Sequence, residues 1–326
     1  MPFDVLGLGN PLIDIFFNVP DTFLSELKLE RGSMNLVDVN RQNEILIKSV
    51  HLQKTTALGG SCANTMAMVS QLGGISAYGG KLGDDELGFD YESQLENLGV
   101  TSFLKKQSGA TGSTVILVTP DAERTMNTHL GMSVNFSKND LELEAIAESD
   151  YIYVEGYLWD TPTQKETVVA ALEYAKSKGV KISLTLSDSF CVERHKKDFQ
   201  HLLDNYVELV FCNHTEAEIL TGQSDVSKQL DVLSQSVEHI VLTLGQQGSR
   251  VFHFGTITEL EAFEIDAVDT TGAGDSFAAG YLYGITHGYN SEQAGRLASY
   301  CAAKIVEQIG PRYNGDFKAL VSNYMI

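Results

Sequence analysis

Tyr151-Ile152-Tyr153-Val154, the helically spaced stretch Gln164–Lys178 and Ile182-Ser183-Leu184-Thr185-Leu186 follow one another as strand, helix and strand. Tyr151–Val154 is unbroken instead of alternating, the pattern of a strand covered on two faces, and Ile182–Leu186 is apolar at every second residue. The same unit recurs outward from there. Apolar β-rich runs lie at Val5–Leu8, Val115–Val118, Val207–Phe211 and Ile240–Leu244, and helical spacing marks Cys62–Leu72, Ser276–Thr286 and Ser291–Gln308. Strands alternating with amphipathic helices specify an α/β fold, a layered sandwich around a mostly parallel central sheet.

Two stretches break the alternation, about Ile15–Val39 and Val100–Met132, where strand-like pieces such as Ser113–Thr119 and Arg124–Thr128 sit among turn residues. They read as β-rich insertions pairing into a small, discontinuous sheet over the ends of the main strands, where open α/β sheets bind ligands. The expected division is a large α/β unit of residues 1–14, 41–99 and 133–326, and a small β lid of residues 15–40 and 100–132.

The 326 residues are 43% hydrophobic and 20% charged, which excludes a disordered chain and supplies a sizeable core. Lys and Arg number 23 against 43 Asp and Glu, a formal net charge of −20. Such a field repels nucleic-acid phosphates and anionic lipid, so neither nucleic acid nor membrane is an expected partner. Residues Met1–Asn10 lack a basic segment and an apolar run of signal-peptide length, and no stretch reaches the length of a membrane span. A cytoplasmic location is expected. Cys62, Cys191, Cys212 and Cys301 have no metal-ligand spacing and read as reduced, mostly buried thiols.

Among glycine motifs, Gly7-Leu8-Gly9-Asn10-Pro11-Leu12 has Leu12 where a dinucleotide fingerprint needs its third glycine. Gly80-Lys81 lacks the earlier glycine and the following Ser or Thr of a P-loop. The informative segment is Val268-Asp269-Thr270-Thr271-Gly272-Ala273-Gly274-Asp275-Ser276-Phe277, which opens an apolar helix. Its small residues let backbone amides crowd at a helix start, where the unpaired N–H groups and the helix dipole favour an anion. Asp275 is either an ordinary first-turn aspartate or a base that takes a proton from an attacking hydroxyl. Two glycines and a second aspartate within seven residues favour the base. A second turn, Leu58-Gly59-Gly60-Ser61-Cys62-Ala63-Asn64-Thr65, also opens a helix and carries an Asn suited to hydroxyl recognition, although by itself it reads better as a tight turn with a helix cap.

Gly59, Gly60 and Asn64 resemble the first signature of the ribokinase-like (PfkB) carbohydrate kinase family, and Asp269 through Asp275 resemble its second, in the expected order. The likeness extends over essentially the whole chain. Within the family it is to adenosine kinases, bacterial ones in particular. The segments that carry it are Gly9–Asp14, Met34-Asn35-Leu36, Arg124-Thr125-Met126-Asn127, Glu155–Asp160 and Leu184–Phe190.

The resemblance implies transfer of the ATP γ-phosphate to a nucleoside 5′-hydroxyl with Mg2+, by a ribokinase-like sandwich with a small β-sheet lid. It implies that Asp14, Asn10, Gly60 and Asn64 hold the ribose, that Asp275 is the catalytic base, and that Gly272, Ala273 and Gly274 form the anion hole. Asn213 and Glu216 match the family's NxxE motif and are expected to organise water and Mg2+ around the ATP phosphates. Thr243, Gly245 and Gly248 resemble the nucleotide-side turn. Asp269 and Thr271 fall where related sugar kinases hold a monovalent cation, so K+ stands beside a simple turn-shaping role. Arg124 is expected to clamp the transferring phosphate. Tyr157, Met34 and Leu36 are expected to wall the base pocket. No motif fixes the base, so inosine or guanosine remain alternatives to adenosine. A ribokinase- or fructokinase-like sugar kinase and a non-catalytic nucleoside sensor are the others. Monomer and homodimer are both open.

Overall fold

In the computed structural model, which describes residues 3–121, 123–313 and 315–324, fourteen strands, β1 to β14 in chain order, divide between two sheets. The large sheet holds β1 (Phe3–Leu8), β5 (Ser76–Gly83), β6 (Thr101–Gln107), β9 (Ser149–Glu155), β10 (Lys181–Thr185), β11 (Leu209–Asn213), β12 (His239–Thr243), β13 (Ser249–His253) and β14 (Thr256–Leu260). The small sheet holds β2 (Leu12–Asn18), β3 (Met34–Leu36), β4 (Lys54–Leu58), β7 (Gly112–Val118) and β8 (Arg124–His129).

The large sheet runs β14-β13-β12-β11-β10-β9-β1-β5-β6, parallel except for the β12–β13–β14 meander at one edge. Successive residues point to opposite faces, and both faces are apolar. Val5, Tyr153 and Phe211 pack with Cys62, Met66, Phe277 and Tyr281 on one side. Leu6, Ile152, Ile182 and Val210 pack with Val168, Leu172, Phe199 and Leu220 on the other. Each large side chain so buried contributes about 1.5–3 kcal/mol, which is why apolar residues recur along these strands. The helix Pro162–Lys178, expected from spacing alone, starts on a proline and stops at Gly179 in the left-handed conformation (φ 73°).

Chain order reverses around β1, whose neighbours are β9 and β5. That crevice at the carboxyl ends of the strands is where an open α/β sheet takes its ligand. Asn10 follows β1 there and Glu155 ends β9.

The small sheet runs β3-β8-β7-β2-β4. Ile13, Ile15 and Phe17 of β2 are buried with Phe23, Leu24 and Ile45, while Leu12 and Asp14 lie on the other face. Two strands sit differently from the expected boundaries. β4 pairs with β2 in the small sheet (Ile13 opposite Leu58), although residues 41–99 were assigned to the large unit. β6 pairs with β5 in the large sheet (Ala77 opposite Thr101), although residues 100–132 were assigned to the lid. Both are edge strands of mixed polarity, and such a pattern identifies a strand without saying which sheet it joins. Among the described residues no helix is long and apolar enough to cross a membrane.

Candidate active site

The glycine turns at Gly59-Gly60 and Gly272–Gly274 lie far apart in the chain and meet in space. Ser61 Oγ donates to Asp275 Oδ1 at 2.6 Å and Asn64 Nδ2 donates to Asp275 Oδ2 at 2.9 Å. Ser61 and Asn64 stand on the first turn of the helix Ser61–Leu72, entered from Gly60 at φ 90°. Asp275 stands on the first turn of the helix Ala273–Thr286, entered from Gly272 in the left-handed conformation (φ 77°). A side chain at Gly272 would be strained by that φ and would meet the Pro311 Cα at 2.7 Å. Both helix starts therefore aim at one carboxylate.

Burial raises the Asp275 carboxyl above its ordinary value, opposed by the Ser61 and Asn64 hydrogen bonds and by the charge of Arg312. One edge of Asp275 stays open to a cavity of about 600 Å³ between the two sheets. Asp14 of β2 faces the same space. Burial pushes its carboxyl up to about 7, with Arg312 and Arg124 pulling it down and Asp275 adding to the rise. A Cβ on Gly59 would lie 2.4 Å from Asp14 Oδ1, so only glycine leaves room for this carboxylate.

Asn10, Met34, Leu36, Gly60, Arg124 and Tyr157 also line this cavity, as do Asp269 and Thr271. The Asn10 side chain is 1% exposed; its oxygen accepts from Gln164 Nε2 at 2.7 Å, and its amide nitrogen has no partner among the described residues. Tyr157 donates its hydroxyl to Asp188 at 2.9 Å.

Arg124 of β8 forms an ion pair with Asp269. Asp269 also accepts from Thr271 N (2.9 Å) and Gly310 N (2.8 Å). Burial works against this carboxylate, but the two amides and the guanidinium outweigh it and hold it below its ordinary value. Arg124 meets Asp269 at Oδ2, so a monovalent cation here would compete with that guanidinium for the charge of the carboxylate.

A second, more apolar cavity of about 310 Å³ adjoins the first and is lined by Thr243, Gly245, Gly248, Phe277 and Val306. Ala273 and Gly274 line it, and Ala267 and Thr270 line both cavities, so the two join at the helix start beside Asp275. Of the three expected anion-hole amides, that of Ala273 donates back to Thr270 O at 3.2 Å. Asn213 and Glu216 line neither cavity. They form a reciprocal cap at the start of the helix His214–Thr221, in which both Glu216 oxygens accept from Asn213 (3.0 and 2.6 Å). Burial pushes the Glu216 carboxyl up to about 7. With both oxygens committed, Glu216 suits contact with Mg2+ through water and not direct ligation.

Three residues without an assigned role from sequence belong here. Ser61, inside the quoted first turn, holds Asp275. Glu155 is 1% exposed and accepts from Asn10 N (2.6 Å) and Cys62 N (3.0 Å), tying the end of β1 to the start of the Ser61–Leu72 helix. Burial pushes its carboxyl up to about 7, opposed by those two amides. A carboxylate ending an apolar strand was its available signal. Arg312 donates from Nε to Asn64 Oδ1 at 3.0 Å and had no local signal.

The comparisons with known proteins agree with this geometry. Residues 32–316 match the pfkB family carbohydrate kinase description. The structure of adenosine kinase from Sinorhizobium meliloti is 36% identical with a TM-score of 0.93, covering 99% of this chain and 100% of that one. A probable sugar kinase protein from Rhizobium etli CFN 42 is 35% identical with a TM-score of 0.94, covering 100% and 99%. The adenosine kinase of Dictyostelium discoideum is 25% identical over 94% of this chain and 95% of its own. The chain belongs to the pfkB family of carbohydrate kinases, phosphotransferases with an alcohol acceptor.

Proposed function

We propose that the acceptor is a nucleoside, adenosine before the others, and that the product is its 5′-monophosphate. The observation that carries this is the lining of the larger cavity. Its polar groups, Asp14, Asn10, Asn64 and Asp275, gather around one region of chemistry, while the small sheet adds apolar surface from Leu12, Met34, Ile116, Met126 and Leu130. A ribose satisfies the first set, since an ionised carboxylate offers several acceptor sites to two hydroxyl donors. A free sugar leaves the second set uncovered, whereas a flat base covers it. The Sinorhizobium meliloti neighbour, an adenosine kinase, supports the same choice.

In this reading ATP takes the smaller slot with its γ-phosphate at the start of the Ala273–Thr286 helix. Asp275 accepts the proton of the 5′-hydroxyl as that oxygen bonds to phosphorus and the bond to the ADP oxygen breaks. Arg124 leaves Asp269 for the transferring phosphate. Mg2+, when bound with ATP, neutralises phosphate charge, and Glu216 with Asn213 would hold its water shell. K+ is the weaker part of the proposal, because Arg124 already answers the Asp269 charge.

The test is a screen of ATP-dependent phosphorylation over adenosine, inosine, guanosine, ribose and fructose, run beside thermal protection by each. Adenosine should be phosphorylated and should raise Tm. Turnover of ribose or fructose without adenosine would replace this reading with a sugar kinase, and adenosine protection without ATP consumption would leave a sensor.

A further inference from the structure

The segment Gly310-Pro311-Arg312 touches each part of the reaction centre. Gly310 N donates to Asp269, Pro311 packs on the Gly272 turn, and Arg312 Nε donates to Asn64 Oδ1. We propose that Arg312 is a positioning residue, which orients the Asn64 amide toward Asp275 and whose charge opposes the effect of burial on Asp275 and Asp14. The catalytic step it serves is the one proposed above; its electrostatic action on the two carboxylates is independent of that step.

The orientation argument follows from amide chemistry. An asparagine side chain offers an acceptor at one end and donors at the other. With Arg312 holding Oδ1, Nδ2 must point away, and it reaches Asp275 Oδ2 at 2.9 Å. A reversed amide would set its oxygen against a carboxylate oxygen. Arg312 thereby dictates one of the two hydrogen bonds on the base.

The charge argument follows from the inventory around Asp275. Ser61 and Asn64 face it from the Ser61–Leu72 helix, with Cys62 behind them; Asp14 faces it from β2, and Glu155 and Tyr153 from β9. Among these charged groups Asp14, Glu155 and Asp275 are all carboxylates. Arg124 is engaged with Asp269 and acts on Asp14 from there, whereas Arg312 acts on both Asp14 and Asp275. Tyr78 and Tyr91 also face Arg312, within reach of the Glu155 charge, and Tyr91 donates its hydroxyl to Gly59 O at 3.0 Å. Arg312 Nη2 is buried with no partner among the described residues, a donor retained where hydrogen bonding does not require it.

The test uses full-length Arg312→Gln and Arg312→Lys with carbon-13-labelled aspartate, the Asp275 carboxyl being assigned by its loss in Asp275→Asn. In Arg312→Gln that carboxyl should titrate about one pH unit higher or more, and in Arg312→Lys by a smaller upward step. With the acceptor that wild type turns over, the acidic limb of the kcat profile should move by the same interval, with KM for ATP unchanged. An Asp275 titration unmoved in both variants overturns the proposal, and should Arg312→Gln not fold, an unmoved Arg312→Lys does so alone. The titration is read without substrate, so a wild type that transfers no phosphate would overturn the kinase reading of the acceptor and leave the Arg312 result decisive.

Discussion

Arg124 of the small sheet is paired with Asp269 of the glycine loop, a contact between the small sheet and the segment that leads into the Ala273–Thr286 helix. The pair is largely buried, with side chains 21% and 6% exposed. In a chain of net charge −20, a phosphate can be held only where positive potential is gathered locally. In the proposed reading, Arg124 is paired with Asp269 until ATP supplies a stronger anion. ATP binding in that reading would exchange one charge-assisted contact for another and would not create an ion pair from solvated groups.

Removing that guanidinium should be felt in the transition state. Arg124→Ala is expected to lower kcat by about 10²-fold or more while the acceptor Kd changes little. Arg124→Lys should recover only a small part, because one ammonium cannot reproduce a planar fork. Steady-state kinetics with calorimetric titration of the acceptor checks this; full recovery in Arg124→Lys would reduce the role to simple charge.

Asp275→Asn keeps the size of the side chain and removes the proton acceptor. Turnover should fall by about 10²–10⁴-fold with both ligands still bound. Initial rates with equilibrium binding of ATP and acceptor measure it. Parental turnover would show that the hydroxyl proton goes elsewhere.

Tyr151–Val154 was legible as a strand because both of its faces are buried, which leaves a continuous apolar run, and Ile182–Leu186 because Ile182, Leu184 and Leu186 recur at strand spacing. β5 was not legible for the opposite reason. Ser76-Ala77-Tyr78-Gly79-Gly80-Lys81-Leu82-Gly83 is buried at every residue, yet its three glycines interrupt the apolar pattern that marks a strand. Gly80 sits where a Cβ would lie 2.6 Å from the Gly9 carbonyl, so close backbone approach and not flexibility accounts for it. Lys81 pairs with Asp140 at 2.9 Å and takes no phosphate role. At the site, Asp269–Asp275 was legible because an anion site needs consecutive small residues at a helix start. Arg312 was not, since its partner Asn64 lies 248 residues away and no spacing rule links them.

Gly59→Ala tests whether Asp14 recognises the acceptor. The added Cβ meets Asp14 Oδ1 at 2.4 Å while the second cavity, lined by Thr243 and Phe277, is untouched. Acceptor KM should rise by about tenfold or more with ATP affinity preserved. Equal losses on both sides would point to a collapsed turn in place of a displaced carboxylate.

Asp14 also links recognition to stability. Burial pushes its carboxyl up to about 7, so between about 4 and about 7 the native chain keeps a proton that the unfolded chain has released. Stability from this group therefore falls as pH rises through that window, by on the order of a few kcal/mol at most. Asp14→Asn abolishes the term. Its Tm should match the parent near pH 4 and exceed it by a growing margin up to pH 7, while adenosine no longer protects it. In the parent, adenosine should protect more at pH 8 than at pH 5, because ribose hydroxyls donate best to the ionised carboxylate. Melting curves of both proteins across this range, with and without adenosine, decide the matter: a Tm difference that does not vary with pH means Asp14 ionises in the free protein without penalty, and the carboxylate is then not held in wait for a ligand.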